Sequence, residues 1–280
     1  MKLLRRHPWL LTLLILAGLI ALWHFLTVAP APAAAAVDDE YARLAGAAAQ
    51  AQPAAALPTP AQVWVRSVDL LTHAFDERGT NDVGIGWHLW YSIKRVLSGY
   101  GLALAVALPL GFLLGMSPLM QRALNPFIQV LKPVSPMAWM PLALYTLKDS
   151  GASAIFIIFI CALWPMLINT AFGVAGVRRD WLNVAKVLDL PLGQRILHII
   201  FPAAVPMILT GMRISIGIAW FVIVAAEMVA GQSGIGYFIW NEWNNLQIAS
   251  MITAIILIGM VGLLLDAILA QLGQRLSFRE

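Results

Sequence analysis

Three long stretches without a charged residue are the surest membrane spans of this chain: Val96–Gln121, Ser150–Val177 and Trp243–Leu265. A helix crossing ~30 Å of hydrocarbon at ~1.5 Å per residue needs about 20 mostly apolar residues. Each stretch meets that length. Of the 280 residues 60% are hydrophobic and only 11% charged; a soluble domain carries about 25% charged residues. No water-soluble core hides so much apolar side chain, so the membrane is the solvent of this chain.

Six spans are expected, at 9–28, 96–116, 126–147, 152–176, 203–229 and 249–271. The third is interrupted by Lys132, Pro133, Pro136 and Pro141. Neighbouring helices can shield the carbonyls that proline frees, and a helix broken in this way often borders a pathway. Basic loops stay on the cytoplasmic side. Lys2, Arg5 and Arg6, then Arg122, then Arg178, Arg179, Lys186 and Arg195, then Arg275 and Arg279 all fall on one side of a six-span chain. The other side receives Asp38, Asp39, Glu40, Asp69, Asp76, Glu77, Asp82 and Glu242. Both termini are therefore expected inside. Lys94 and Arg95 are exceptions, placed at the outer end of the second span and expected to snorkel toward headgroups.

Residues 1–28 read as a transmembrane anchor. A cleaved signal peptide is the alternative, because a basic start and Ala-x-Ala sites near Ala31–Ala36 flank the apolar run. The run from Trp9 to Val28 exceeds the usual apolar core of about 7–15 residues, which favours retention. Residues 29–86 form an extracytoplasmic Ala/Pro-rich linker followed by a surface segment. Within it Val63, Val65, Val68 and Leu71 have helical spacing suited to the membrane surface, and 76–82 is a turn. Residues 87–280 form the main transmembrane domain, with a cytoplasmic loop at 178–202.

Several chemistries are absent from the sequence. No Gly-Lys pair occurs, so the chain holds no phosphate-binding P-loop of its own. The five histidines are scattered and the single cysteine, Cys161, lies in an apolar run, so neither a metal site nor an intrachain disulfide is expected. Ser233 in "GQSGIG" lacks the strand and the acid–base partners of a nucleophile elbow. The net charge of +4 suits membrane topology, and no alternation of basic and aromatic residues suggests nucleic-acid binding. Transport or scaffolding is favoured over catalysis, and no cofactor is expected.

Polar residues inside spans are the functional candidates. Lys132, Trp139, Asn169, Arg213 and Glu227 are the residues expected to line or gate a path. At ~1.5 Å per residue Arg213 and Glu227 stand about 21 Å apart and cannot pair. The structural alternatives are a salt bridge to another helix for Arg213 and plain interfacial exposure for Glu227. Lys132, at the inner end of the third span, either attracts an anion or snorkels. Asn169 and Thr170 are expected to hydrogen-bond between helices, and the glycines at 99, 101, 111, 115, 211 and 217 to allow close packing.

The loop carries "NVAKVLDLPLGQRILHIIFP" at 183–202. Trp181, Val184, Ala185 and Leu188 share one helical face, and Ile196, Ile199 and Ile200 another. Asp189 is expected to cap a second helix that has Pro191 in its first turn. Two short amphipathic helices at an angle either lie on lipid or offer a docking surface to a cytoplasmic partner.

The spacing of this loop is similar to the cytoplasmic loop of ABC importer permeases: E-A-A, three residues, G, nine residues, I-x-L-P. Ala185 takes the second alanine, Ile199 the isoleucine and Pro202 the proline, while Asn183, Val184, Asp189 and Phe201 depart from the pattern. The stretches "LPTPAQVW", "GTNDVGIGW", "NVAKVLDL", "FPAAVPMILTGMRISIGIAWFVIVAAEM", "GIGYFIWNEWNN" and "GLLLD" occur in the order of the nitrate-type branch, over roughly 57–266. This resemblance implies an all-α, six-helix, type I (MetI-like) permease domain in the bacterial inner membrane. It implies a permease homodimer working with cytoplasmic ABC ATPase subunits, which bind the ATP, and an extracytoplasmic solute-binding protein. The loop would then be the coupling helix seated on the ATPase, through Asn183, Ala185, Lys186, Asp189, Leu190, Pro191, Arg195 and Pro202. Nitrate is the first substrate implied, with nitrite, cyanate and bicarbonate as neighbours. Aliphatic sulfonates or taurine are an alternative cargo, and a secondary transporter is a more remote one.

Overall fold

The computed structural model describes residues 8–28, 57–77, 79 and 83–276. The basic start of the chain, the Ala-x-Ala sites and most of the linker lie outside them. Among the described residues the chain is helical apart from short connections and an isolated antiparallel bridge between Glu77 and Val83; most of the turn expected at 76–82 lies outside the described residues. The helices are α1 (Pro8–Val28), α2 (Pro60–Thr72), α3 (Ile85–Met116), α4 (Pro118–Leu131), α5 (Pro136–Leu147) and α6 (Ser150–Ala175). They continue with α7 (Arg179–Val187), α8 (Leu192–Arg195), a π-helical turn (Ile196–Ile200), α9 (Phe201–Ala230), α10 (Ile235–Asn244) and α11 (Ile248–Leu276).

Among the described residues five helical stretches are long and apolar enough to cross a membrane: α1, α3, α6, the continuous run from α8 through α9, and α11. The third expected span is different. Instead of one helix over 126–147 there are two shorter ones, α4 with 14 residues and α5 with 12. The break falls at Lys132–Ser135, where Pro133 and Pro136 remove two backbone donors from the ladder. The second span is longer than expected and begins at Ile85, so Lys94 and Arg95 lie inside α3 and not at its end.

α6 is the central helix, with α3, α5 and α9 packed around it. Small residues let α3 approach: Gly99, Ala103, Ala107, Gly111 and Gly115 recur every four residues on one face. A Cβ on Gly99 would lie 2.7 Å from Ile158 Cβ, and one on Gly111 2.6 Å from Thr170 Cβ. Gly211 is equally close to Asn169, whereas Gly101 and Gly217 face open space and have no packing role within the chain. Three hydrogen bonds tie the helices further. Tyr100 donates to the Met212 carbonyl (3.2 Å), Ser215 to the Ala162 carbonyl (2.7 Å) and Trp220 to the Ile258 carbonyl (2.9 Å). The Ser215 bond falls in the turn that Pro165 loosens, on the carbonyl next to that of Cys161, which the proline leaves without its helical donor.

The two ends of the bundle differ. At one end Ile85, Ile235, Phe238, Ile239 and Leu257 join the start of α3 to α10 and α11. There α2 is capped by Thr59 and Gln62, buries Val63 and bonds to α11 through Ser67–Thr253 (2.8 Å) and Arg66–Ser250 (2.9 Å). At the other end Val174, Val177, Ile200, Ala204 and Ile208 hold the 178–202 loop against the ends of α3 and α6.

Candidate functional site

The largest fully buried polar side chain among the described residues is Glu227 on α9, enclosed and not at an exposed interface as its position near the helix end suggested. Its carboxylate accepts from Arg95 Nη1 (2.7 Å), from Ser92 Oγ (2.8 Å) and from the Gly236 backbone N–H (3.1 Å). Arg95 therefore turns into the protein instead of snorkelling, and its Nη1 also donates to the Ser233 carbonyl (2.6 Å). Ser92 Oγ accepts from Ile235 N–H (2.9 Å), and His88 Nδ1 accepts from Gly234 N–H (3.0 Å). The loop 231–234 and the first turn of α10 are thus clamped to α3 through the Gly234 and Ile235 N–H groups and to α9 through the Gly236 N–H. Ser233 takes part through its carbonyl alone. Sequence reading missed Ser92 and Arg95 as partners of Glu227, and His88 as the partner of the Gly234 N–H beside it; their i, i+4 and i+7 spacing on α3 was the available signal.

Arg213 on α9 forms a two-point ion pair with Asp266 on α11, Nε–Oδ1 at 2.9 Å and Nη2–Oδ2 at 2.6 Å. Both side chains are about half exposed on the outside of the single chain. Asn169 does not bridge helices: its amide donates to the Pro165 carbonyl in its own helix (2.8 Å). Thr170 is buried against Gly111, and its hydroxyl has no partner among the described residues.

Lys132 and Trp139 come together. Both line a cavity of about 200 Å³ with Ile160, Cys161, Trp164 and Pro165 of α6 and Ile218 of α9. Lys132 also lines a second cavity, of about 260 Å³, against Ile168, Ala171 and Phe172. Lys132 is therefore not at the end of a span. It sits at the break between α4 and α5, level with the middle of α6. The five candidate pathway residues fall into four separate places, and only this pair shares one.

The loop forms the first helix expected, α7, but α8 is not a separate short helix: it runs on through the π-helical turn into α9, and Asp189 does not cap it. It adopts the left-handed region (φ 48°) and ends the first, while Leu190 N–H reaches back to the Ala185 carbonyl (3.1 Å). Pro191 then occupies the N-cap of α8. A short acidic side chain tolerates the left-handed conformation better than most residues, which explains its presence there. Ala185 and Ile200 are buried, and Lys186, Asp189, Leu190 and Pro191 are at the surface or nearly so. Val187, Leu188 and Leu192 stand 86%, 64% and 64% exposed at the tip, an apolar knob with no cover from this chain. Behind it Trp181, Val184, Ile199, Pro202 and Pro206 line a cleft of about 770 Å³.

A central helix between small-residue contacts, a broken helix with a cation at the break, and a loop that feeds a long apolar helix at one end describe a multi-pass helical membrane protein. Residues 107–278 match the family described as binding-protein-dependent transport system inner membrane component, and the chain belongs to that family. It is 46% identical over 214 residues to the nitrate import permease protein NrtB of Synechocystis sp., covering 76% of this chain and 78% of that one. It is 44% identical over 219 residues to the bicarbonate transport system permease protein CmpB of the same organism, covering 77% and 78%. Its fold is similar to that of a chain in the inward-facing MetNI methionine ABC transporter, with a TM-score of 0.60 at 12% identity, covering 68% of this chain and 94% of that chain. The architecture is thus the MetI-like one.

Proposed function

We propose that this chain is the permease subunit of an ATP-driven importer that carries a small inorganic anion into the cytoplasm, with nitrate as the first substrate. The observation that carries this reading is the 46% identity to a nitrate import permease over most of both chains. The 44% identity to a bicarbonate permease makes bicarbonate the second candidate. Both anions are small, planar and singly charged, so a single path suits either.

In this reading α4 and α5 together complete a sixth crossing, both termini lie inside, and the 178–202 loop faces the cytoplasm. ATPase subunits bind ATP and seat the loop tip; a solute-binding protein delivers the anion at the α2–α10 end; two copies of this chain enclose the path. Loop movement on ATP binding is transmitted through the Val174–Ile200–Ala204 cluster into α6 and α9.

Reconstitution of the permease with its ATPase and binding protein in vesicles tests the reading. Labelled nitrate is expected to accumulate only with internal ATP and all three components, and excess taurine is expected not to compete. Accumulation driven by a proton gradient without ATPase would sink the importer reading, and taurine uptake in place of nitrate would sink the choice of substrate.

A further inference from the structure

Along α4, Gln121, Asn125 and Gln129 recur every four residues and Lys132 follows three later, so the four share one helical face. The opposite face carries Phe127 and Val130, 65% and 68% exposed, as contact with lipid requires. All four polar residues line the cavity of about 260 Å³ against α6. Among the described residues none of their side chains has a hydrogen-bond or ion-pair partner. Hydrocarbon does not tolerate three unpartnered amides and an ammonium on one helix face, whereas a water-filled passage does.

The chemistry of the lining has a sign. The three amides can turn N–H donors toward an anion or oxygens toward water, so the sign comes from Lys132, which adds three donors and a full charge; neither cavity that Lys132 touches contains a carboxylate. A file of neutral amides that ends on a single cation attracts a small anion and leaves it free to depart, since one charge holds less tightly than a cluster. At ~30 Å³ per water each cavity takes several waters, room for a planar anion with part of its hydration shell.

We propose that the Gln121–Asn125–Gln129 face of α4 is one half of the translocation path for a small monovalent oxyanion, and that Lys132, where the two cavities meet, selects for its charge. The proposal rests on the importer reading above and names the residues that would meet the anion.

Two measurements on the assembled transporter test it. In vesicles, Lys132→Gln is expected to lower nitrate uptake about tenfold or more and Lys132→Arg to keep most of it. Separately, Gln121→Cys, Asn125→Cys and Gln129→Cys are placed in a Cys161→Ala background and exposed to anionic and cationic methanethiosulfonate reagents. The anionic reagent is expected to react faster at all three positions, relative to its rate on a free thiol. Millimolar nitrate should slow it, and Lys132→Gln should erase the preference. Phe127→Cys should stay unmodified. Unreactive cysteines, equal rates for the two reagents, or full uptake by Lys132→Gln would overturn the proposal. If the wild type takes up neither nitrate nor bicarbonate but the anionic preference persists, the substrate assignment fails and the path stands.

Discussion

Arg95 Nη1 lies 2.7 Å from Glu227 Oε1, a charge pair that joins α3 to α9 where Glu227 is sealed from solvent. Charges removed from water are costly, and their attraction offsets the cost only when the remaining lone pairs are also satisfied. Here they are, by Ser92 and the Gly236 N–H. The pair holds the 231–234 loop and α10 in place, because Arg95 and Ser92 also bind the backbone of that segment.

Arg95→Leu is expected to destabilise the protein by about 3 kcal/mol or more, because it strands a buried carboxylate. Adding Glu227→Gln should recover a large part of the loss, since a neutral amide needs no counter-charge. Thermal unfolding of the detergent-solubilised protein reads both effects. A double variant no more stable than Arg95→Leu would show that the pair is not what holds this region.

Gly234 gives a second probe of the same junction. A Cβ there would collide with the Glu227 carboxylate, which has no slack because Arg95, Ser92 and Gly236 hold it. Gly234→Ala is therefore expected to cost about 1–3 kcal/mol by overpacking. Gly231→Ala meets no atom and is strained only by its φ of 64°, so it should cost less, about 1 kcal/mol. The ranking of the two midpoints in the same unfolding assay checks this.

Much of the fold was legible because apolar runs longer than a bilayer leave little choice. α3, α6 and α11 fall where the uncharged stretches lie, and the prolines at 133 and 136 marked the break. What the sequence hid was pairing at a distance. Arg95 and Glu227 are 132 positions apart, and nothing local shows that a cation near one helix end turns inward toward an acid near another. Asp189 was misread because its usual place at a helix start competes with its tolerance of positive φ at a helix end. The amide face of α4 is present in "QRALNPFIQVLK", but helical spacing alone does not show which face of that helix meets lipid and which meets α6.

Arg213 and Asp266 pair at two points yet stay about half exposed on the outside of one chain. In water such a pair contributes little. At membrane depth the account changes, because losing one partner leaves an unpaired charge on a spanning helix. Arg213→Leu alone is expected to lower the yield of protein assembled in membranes, and Arg213→Leu with Asp266→Leu to restore it. Quantifying the membrane-embedded, protease-resistant fraction decides the matter; a double variant as poor as the single one would mean that the pair's own charge is needed.

The loop offers the most direct test of coupling, provided the substitution leaves the loop folded. Ala185 is unsuited to that purpose: it is 1% exposed, so a larger or charged side chain there would disturb α7 itself. Val187 and Leu188 project outward just before the Asp189 turn and make no contact that the loop depends on for its shape. An apolar knob left bare by its own chain is suited to a pocket on another protein. Val187→Asp and Leu188→Asp are expected to leave membrane insertion and thermal stability unchanged. Each should weaken co-purification with the ATPase subunit and reduce stimulated ATP hydrolysis about tenfold, a loss of about 1.4 kcal/mol at the interface. Undiminished hydrolysis in both variants would place the ATPase contact elsewhere and return the loop to a role at the lipid surface.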